Sequence, residues 1–215
     1  MLNHPNKQYS TTLMNDLTIR KMEYRDIRSV VEVHLTSFDN FFLSSLGHNF
    51  LYLLYKSILE DKSGIALVYE NQSLICGFIA GTDKPAGFYK RLIAKKLLLF
   101  AVASVPSAIK NPLIIPRLFR SLQMPSKVNI NKNAGSLMSL AVRPDTQGHG
   151  IGKSLVEEFL RNCSSRNLEL VNLTTDAKDN VKVNTFYKNL GFKFMTSFTT
   201  PEGREMNEYE IKLPL

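Results

Sequence analysis

Three glycines in five positions, Gly148, Gly150 and Gly152, interrupt the chain between an apolar run ending near Val142 and a helical pattern starting at about Gly150. Pro144 blocks continuation of the strand, and the glycines let the backbone turn tightly into the helix. The first N–H groups of a helix have no partner within it, and the helix dipole adds partial positive charge at that end. Gln147-Gly-His-Gly-Ile-Gly152 is therefore suited to a phosphate or pyrophosphate. Two familiar phosphate motifs fail on their spacing. A P-loop places its first glycine where Gln147 stands, although Gly152-Lys153-Ser154 supplies its second half. A dinucleotide fingerprint requires glycine at Lys153, and opens a βαβ unit instead of following a hairpin deep in the chain.

The residues that do match are Gln147, Gly150 and Gly152, in the order Gln-x-x-Gly-x-Gly. A second segment lies at suitable distance: Asn180-Val-Lys-Val-Asn-Thr-Phe-Tyr187-Lys-Asn-Leu-Gly-Phe192. Together they resemble the GNAT acetyltransferases, whose signatures are [RQ]-x-x-G-x-[GA] and N-x₂-A-x₃-Y-x₃-GF. Val183 stands in the usual alanine position and adds two methyl groups near the expected pantetheine arm. Specific motifs are confined to Leu137–Phe192; beyond them only the order of elements is similar.

The resemblance implies an acetyl-CoA-dependent N-acetyltransferase, a transferase working by direct attack of a neutral primary amine on the thioester. It implies a cofactor site formed by Leu140, Ala141, Val142, Gln147, Gly148, His149, Gly150, Ile151, Gly152, Lys153, Ser154, Asn180 and Phe186. A backbone N–H near Leu140 would face the oxyanion. Tyr187 would return a proton to the leaving thiolate, against the plainer reading of an aromatic packed beside Phe186 and Phe192. A non-catalytic module that binds acyl-CoA as a sensor or scaffold would carry the same turn, and a protein or small-amine acetyltransferase the same chemistry.

Elsewhere the patterning indicates a mixed α/β sheet, and the resemblance implies an α/β (α+β) fold of the GNAT type, with a mixed, mostly antiparallel central sheet flanked by helices. After a polar lead over 1–16, with no apolar signal segment, one domain is expected over 17–215. Strands are expected at Leu17–Lys21, at a hairpin from Gly64 to Ala80, at Ser136–Val142, Leu168–Thr174, Lys193–Phe198 and Asn207–Leu213. Helical spacing runs from Tyr24 to Phe38, Phe41 to Glu60, Gly150 to Cys163 and Val181 to Leu190. Gly77, inside the hairpin, marks a bulge or a close backbone approach. A helical insertion at about 83–133, between the third and fourth strands, reads as helices over Gly87–Val105 and Leu113–Leu122 punctuated by prolines.

That insertion carries the charge. Between Lys84 and Met124 lie Lys84, Lys90, Arg91, Lys95, Lys96, Lys110, Arg117 and Arg120 and no acid, which accounts for the whole net charge of +8. It reads either as a solvated cap packed on the sheet or as a surface for an anionic partner. That partner would be a polyanionic acceptor, such as a nucleotide- or lipid-linked amino sugar, or an anionic membrane. Nucleic acid is disfavoured because Phe88, Tyr89, Phe100 and Phe119 are not spaced as a stacking platform.

Glu70, Asp176, His34, His48 and a water chain are the candidate general bases, with His34 on the apolar stripe of the first helix. The large side chains of Phe41–Tyr55 suit an acceptor pocket or a homodimer face. Cys76 and Cys163, far apart in sequence, read as buried thiols, and no spacing suggests a metal. A cytoplasmic protein is expected, with peripheral contact at the inner face of the membrane.

Overall fold

The computed structural model describes residues 17–38, 41–110 and 133–214. In chain order the elements are β1 (Leu17–Lys21), α1 (Ile27–Ser37), α2 (Phe42–Ser45), α3 (His48–Glu60), β2 (Gly64–Asn71), β3 (Leu74–Thr82), α4 (Phe88–Lys95) and α5 (Leu97–Lys110). They continue with β4 (Ala134–Val142), α6 (Ile151–Ser164), β5 (Leu170–Asp176), α7 (Val181–Asn189), β6 (Lys193–Thr199) and β7 (Glu205–Lys212).

The strands form one seven-stranded sheet in the order β1-β2-β3-β4-β5-β7-β6. Every pairing is antiparallel except β4 with β5. This is the mixed, mostly antiparallel sheet expected, and α4 and α5 sit in the interval between the third and fourth strands.

Side-chain alternation divides the sheet between two cores. On one face Val68, Phe78, Ala80 and Ala141 pack with Val30 and Val31 of α1 and Phe50, Leu54 and Tyr55 of α3. On the other, Ile65, Leu67, Ile79, Leu137 and Val171 pack with Leu155, Val156 and Phe159 of α6. Burying each of these large side chains contributes roughly 1.5–3 kcal/mol. A Cβ on Gly81 would stand 2.2 Å from the Ser136 carbonyl oxygen and 2.5 Å from Phe159 Cζ, so the absence of a side chain there lets α6 lie flat on the sheet.

Two expected helices are each broken in two. The run from Phe41 to Glu60 divides at Gly47, whose φ is +85° and whose missing Cβ leaves room for Ser107 Oγ of α5. The insertion helix breaks at Lys96, where α4 and α5 meet at 94°. That bend brings Phe88, Leu92 and Ile93 of α4 and Phe100 of α5 into the same core. Pro106 does not end α5: it lies on the exposed side, where the carbonyl it leaves unpaired is open to water.

The insertion is tied to α3 by packing of Phe50 on Phe100 (ring centroids 5.0 Å apart) and by the ion pairs Lys95–Asp61 and Lys96–Glu60. It therefore packs on a helix as well as lying beside the sheet. Part of its charge excess is neutralised by acids distant in sequence. The expected helix at Leu113–Leu122, with Arg117 and Arg120, and the lead over 1–16 lie outside the described residues.

Candidate functional site

The site arises where β4 and β5 part. They pair only from Ala134–Leu170 to Leu137–Leu173, after which β4 runs on to Val142 and β5 to Asp176. A bulge starts the divergence. Ala80 faces Ser139 and Gly81 faces Leu137, which leaves Met138 as the extra residue on β4 and bends that strand away from β5. The edges of 138–142 and 174–176 that face each other are left without a strand between them.

A second bulge fixes the glycine turn. Tyr69 pairs with Gly77 and Glu70 with Ile75, so Cys76 is unpaired in the β2–β3 ladder. Its carbonyl instead accepts from the Arg143 N–H at 2.8 Å and the Thr146 hydroxyl at 3.5 Å. Gly77 itself meets α6 closely: a Cβ there would lie 3.2 Å from both Ile151 Cγ2 and Leu155 Cδ1. Both expectations for Gly77, a bulge and a close approach, are thus met within two residues.

From this anchor the chain turns through Gly148 (φ +83°) and Gly150 (φ +77°) into α6, and Ser154 N–H to the Gly150 carbonyl is the helix's first bond. Nothing lies within 4 Å of where a Cβ would project from either glycine, so their requirement is the left-handed backbone. Gly152 is different: it is helical, and a Cβ would make ordinary contact with the Phe186 ring at 3.5 Å. The first N–H groups of α6 have no partner within the helix, as an anion site requires.

A cavity of about 960 Å³ joins these parts. Of the residues anticipated as cofactor ligands, Leu140, Ala141, Val142, Gln147, Gly148, Gly150, Ile151, Gly152, Lys153, Asn180 and Phe186 line it, and so does Tyr187. His149 and Ser154 do not; His149 is exposed, and its Nδ1 donates to the Thr146 carbonyl at 3.2 Å. Gln147 donates through Nε2 to the Val142 carbonyl at 3.2 Å, so its side chain braces the turn. Asn180 spends its amide nitrogen on Thr175 Oγ1 and the Asp176 carbonyl, fastening the start of α7 to β5.

Tyr187 is at once packed and in the wall. Its ring sits edge-on to Phe186 and Phe192, with centroids 5.1 and 5.6 Å away. Burial pushes its phenol well above the ordinary value, so the hydroxyl keeps its proton throughout the neutral range.

Of the four candidate bases, two reach the cavity and two do not. Glu70 pairs with Arg20 at 2.6 Å on the β1–β2 edge, and His48 is exposed at the start of α3. Asp176 lines the cavity but is held by both Nη2 contacts of Arg204, each at 2.7 Å. His34 lines it too, with Nδ1 2.7 Å from the Tyr55 hydroxyl. Burial lowers its pKa to about 4, so the imidazole is neutral.

Phe41, from the segment expected to suit an acceptor pocket, lines the cavity, but sequence reasoning missed Phe38, Ser139, Lys182, Arg204 and Met206, drawn from distant segments. Lys182 lay within the second motif, where a cation facing a phosphate turn was a readable signal. The others depend on tertiary contact; Arg204, for instance, sits over the Phe41 ring at 5.4 Å. Lys153, Lys182 and Arg204 outnumber Asp176 around the cavity and bias it toward anions. Both cysteines are free and buried, with their thiols pushed up, Cys163 to about 12. Among the described residues no three His, Cys, Asp or Glu side chains gather into a metal site.

Residues 126–194 match the family model described as "Acetyltransferase (GNAT) domain". Over 67 residues the chain is 39% identical to mycothiol acetyltransferase of Streptomyces coelicolor, a stretch covering 31% of this chain and 21%, about a fifth, of that protein. The fold is similar to the N-acetyltransferase from Staphylococcus aureus Mu50 (TM-score 0.63, 11% identity, 93% of this chain and 100% of that one). It is also similar to the PaiA N-acetyltransferase from Thermoplasma acidophilum, solved in complex with coenzyme A (TM-score 0.54, 17% identity, 91% and 99%). At such identities the two structures speak for the fold, while the matched segment coincides with the glycine turn and the Asn180–Phe192 motif. The splayed strands, the turn and the second motif all meet at one cavity, and the segment that carries them matches the GNAT acetyltransferase domain.

Proposed function

We propose that this chain transfers the acetyl group of acetyl-CoA to a primary amine by direct attack. The observation that carries the reading is the continuity of one cavity from the α6 turn, through the β4–β5 opening, to Tyr187 and the aromatic wall of α1 and α2. The pyrophosphate belongs at the N–H groups of the turn, with Lys153 and Lys182 close by. The pantetheine arm fits the opening, where backbone groups of 138–142 have no strand partner on that side. At the thioester the amine nitrogen bonds to the carbonyl carbon, and a backbone N–H near Leu140 faces the developing oxyanion. The carbon–sulfur bond then breaks, and Tyr187 donates its proton to the departing sulfur.

The acceptor side is formed by His34, Ser37, Phe38, Phe41 and Tyr89. Its aromatic faces and the nearby Arg204 fit an amino sugar carrying phosphate, nucleotide- or lipid-linked. The lipid-linked form is favoured by α5. Leu98, Val102, Val105 and Ile109, spaced along one helical face, are 81, 70, 48 and 78% exposed. Lys84 and Lys90 stand exposed on the same insertion. Among the described residues no helix is long and apolar enough to cross a membrane, but such a stripe can lie in the interface of an anionic one. We therefore assign the chain to the cytoplasm, with peripheral contact at the membrane's inner face.

Calorimetric titration with acetyl-CoA, beside Mg-ATP as control, tests the cofactor. Saturable binding of acetyl-CoA that is lost in Gly150→Glu supports the reading, and binding of Mg-ATP alone refutes it. Binding without acetylation of any amine in a panel of amino sugars, nucleotide-linked amino sugars, polyamines and peptides leaves an acyl-CoA-binding module. Sedimentation with anionic vesicles, compared with neutral ones at low salt, tests the membrane contact; equal pelleting removes it.

A further inference from the structure

His34 occupies an unusual position for a core histidine. It is 2% exposed, and it belongs to the cavity wall. Phe38 lies at 4.8 Å between ring centroids and Phe78 at 6.3 Å. One ring nitrogen, Nδ1, meets the Tyr55 hydroxyl at 2.7 Å. The other, Nε2, is buried and has no hydrogen-bond partner among the described residues. A buried, unsatisfied imidazole nitrogen costs about 1–3 kcal/mol unless something completes it. Apolar packing does not, because the Phe38 and Phe78 rings carry no polar atom and the Tyr55 hydroxyl is engaged at Nδ1. Tyr55 is itself buried at 1% exposure, and the Ser139 side chain from the far side of the β4 bulge approaches its hydroxyl.

Resting on the acetyltransferase reading, we propose that His34 Nε2 receives the proton of the attacking amine and that Tyr55 is the positioning residue that sets its tautomer. With Nδ1–H donating to the Tyr55 oxygen, Nε2 keeps its lone pair without a partner, in a ring that belongs to the cavity wall, and the Tyr55 O–H is free to turn to Ser139 Oγ. The amine arrives neutral and donates an N–H to Nε2. As its nitrogen bonds to the thioester carbonyl carbon, that N–H becomes acidic, and the proton moves to Nε2 to give an imidazolium held by Tyr55. The carbon–sulfur bond breaks with its electron pair on sulfur, which takes the Tyr187 proton. Proton exchange with water then returns His34 to neutral and reprotonates Tyr187, so the net products are the amide and CoA. Burial keeps the imidazole neutral at rest, so its unpartnered nitrogen is unprotonated when the amine arrives.

The experiment uses the full chain and the amine from the panel above that the wild type turns over fastest. His34→Gln keeps a polar group of similar reach without a proton acceptor of comparable basicity. It is expected to lower kcat about 100-fold, as loss of a general base does, and to leave the acetyl-CoA Kd within twofold. His34→Ala should regain activity when imidazole is added to the assay, and Tyr55→Phe should shift the pH profile of kcat/KM while folding normally. Rescue by imidazole is a response that a merely structural histidine does not give. A His34→Gln enzyme within threefold of wild type overturns the role. So does loss of activity without imidazole rescue, or with a parallel loss of acetyl-CoA affinity. If the wild type turns over no amine, the acetyltransferase reading falls and this role with it. Turnover with an unaffected His34→Gln removes the histidine alone.

Discussion

Three alanine substitutions in one turn should separate backbone strain from steric fit. Gly148 and Gly150 hold φ at +83° and +77° with open space where a Cβ would go. Alanine fits there, but in a conformation unfavourable by about 1–2 kcal/mol for a residue with a side chain. Gly152 lies inside α6, where alanine is better than glycine by about 1 kcal/mol, and its Cβ would touch Phe186 at an ordinary 3.5 Å. Gly152→Ala should therefore melt at or slightly above the wild type. Gly148→Ala and Gly150→Ala should each melt about 2–8 °C lower, taking about 2–4 °C per kcal/mol for a chain of this size. If the turn relaxes instead of bearing the strain, its N–H groups re-aim and the same energy appears as acetyl-CoA affinity weakened about 5- to 30-fold. Scanning calorimetry with and without acetyl-CoA reads both. A Gly152→Ala protein less stable than Gly150→Ala would refute the assignment of strain to φ and of tolerance to the Phe186 contact.

Tyr187→Phe should lower kcat by about two orders of magnitude with acetyl-CoA affinity nearly intact; unchanged kcat would return the residue to simple packing. The His34 pKa, about 4 when folded against 6.5 in the open chain, makes stability fall with acid. The unfolded chain binds the proton first, so the loss begins as pH drops below 6.5 and is complete near 4. It amounts to at most about 3 kcal/mol; denaturant titrations at pH 7 and 5 should show it, and His34→Gln should abolish this part of the slope. Thiol titration should find Cys76 and Cys163 slow to react in the native protein, since burial raises both, and two equivalents at once after unfolding. Rapid native reaction of Cys163 would contradict its burial.

The parts of the site that could be read in the sequence are those carried by short, contiguous patterns. The glycine turn, the Asn180–Phe192 segment and the alternation of the strands all act over a few residues, and each sits where its local chemistry requires. The bulge at Cys76 was signalled by its neighbour Gly77, but the one at Met138 could not be read, because a bulge is a property of two strands in register and methionine does not announce it. His34 followed the apolar stripe of α1 and so looked like a core residue. Its burial was legible, but its unsatisfied nitrogen depends on Tyr55, 21 residues away, and on a cavity wall formed by β4. The break at Lys96 was equally hidden, since α4 and α5 read alone as one amphipathic run and only the shared core with Phe50 bends them.

The two cores on opposite faces of the sheet have an evolutionary consequence. The turn and Tyr187 are braced from the α6 face, whereas Phe38 and Tyr89 pack into the core shared by α3 and the insertion on the other. Substitutions that lie well apart and share no partner combine almost independently. A lineage is therefore free to recast the α3–α5 side, lengthening the insertion or exchanging its aromatics, and to try new acceptors while the grip on the donor stays untouched. The central sheet works as a partition, with inheritance kept on one side of it and experiment on the other.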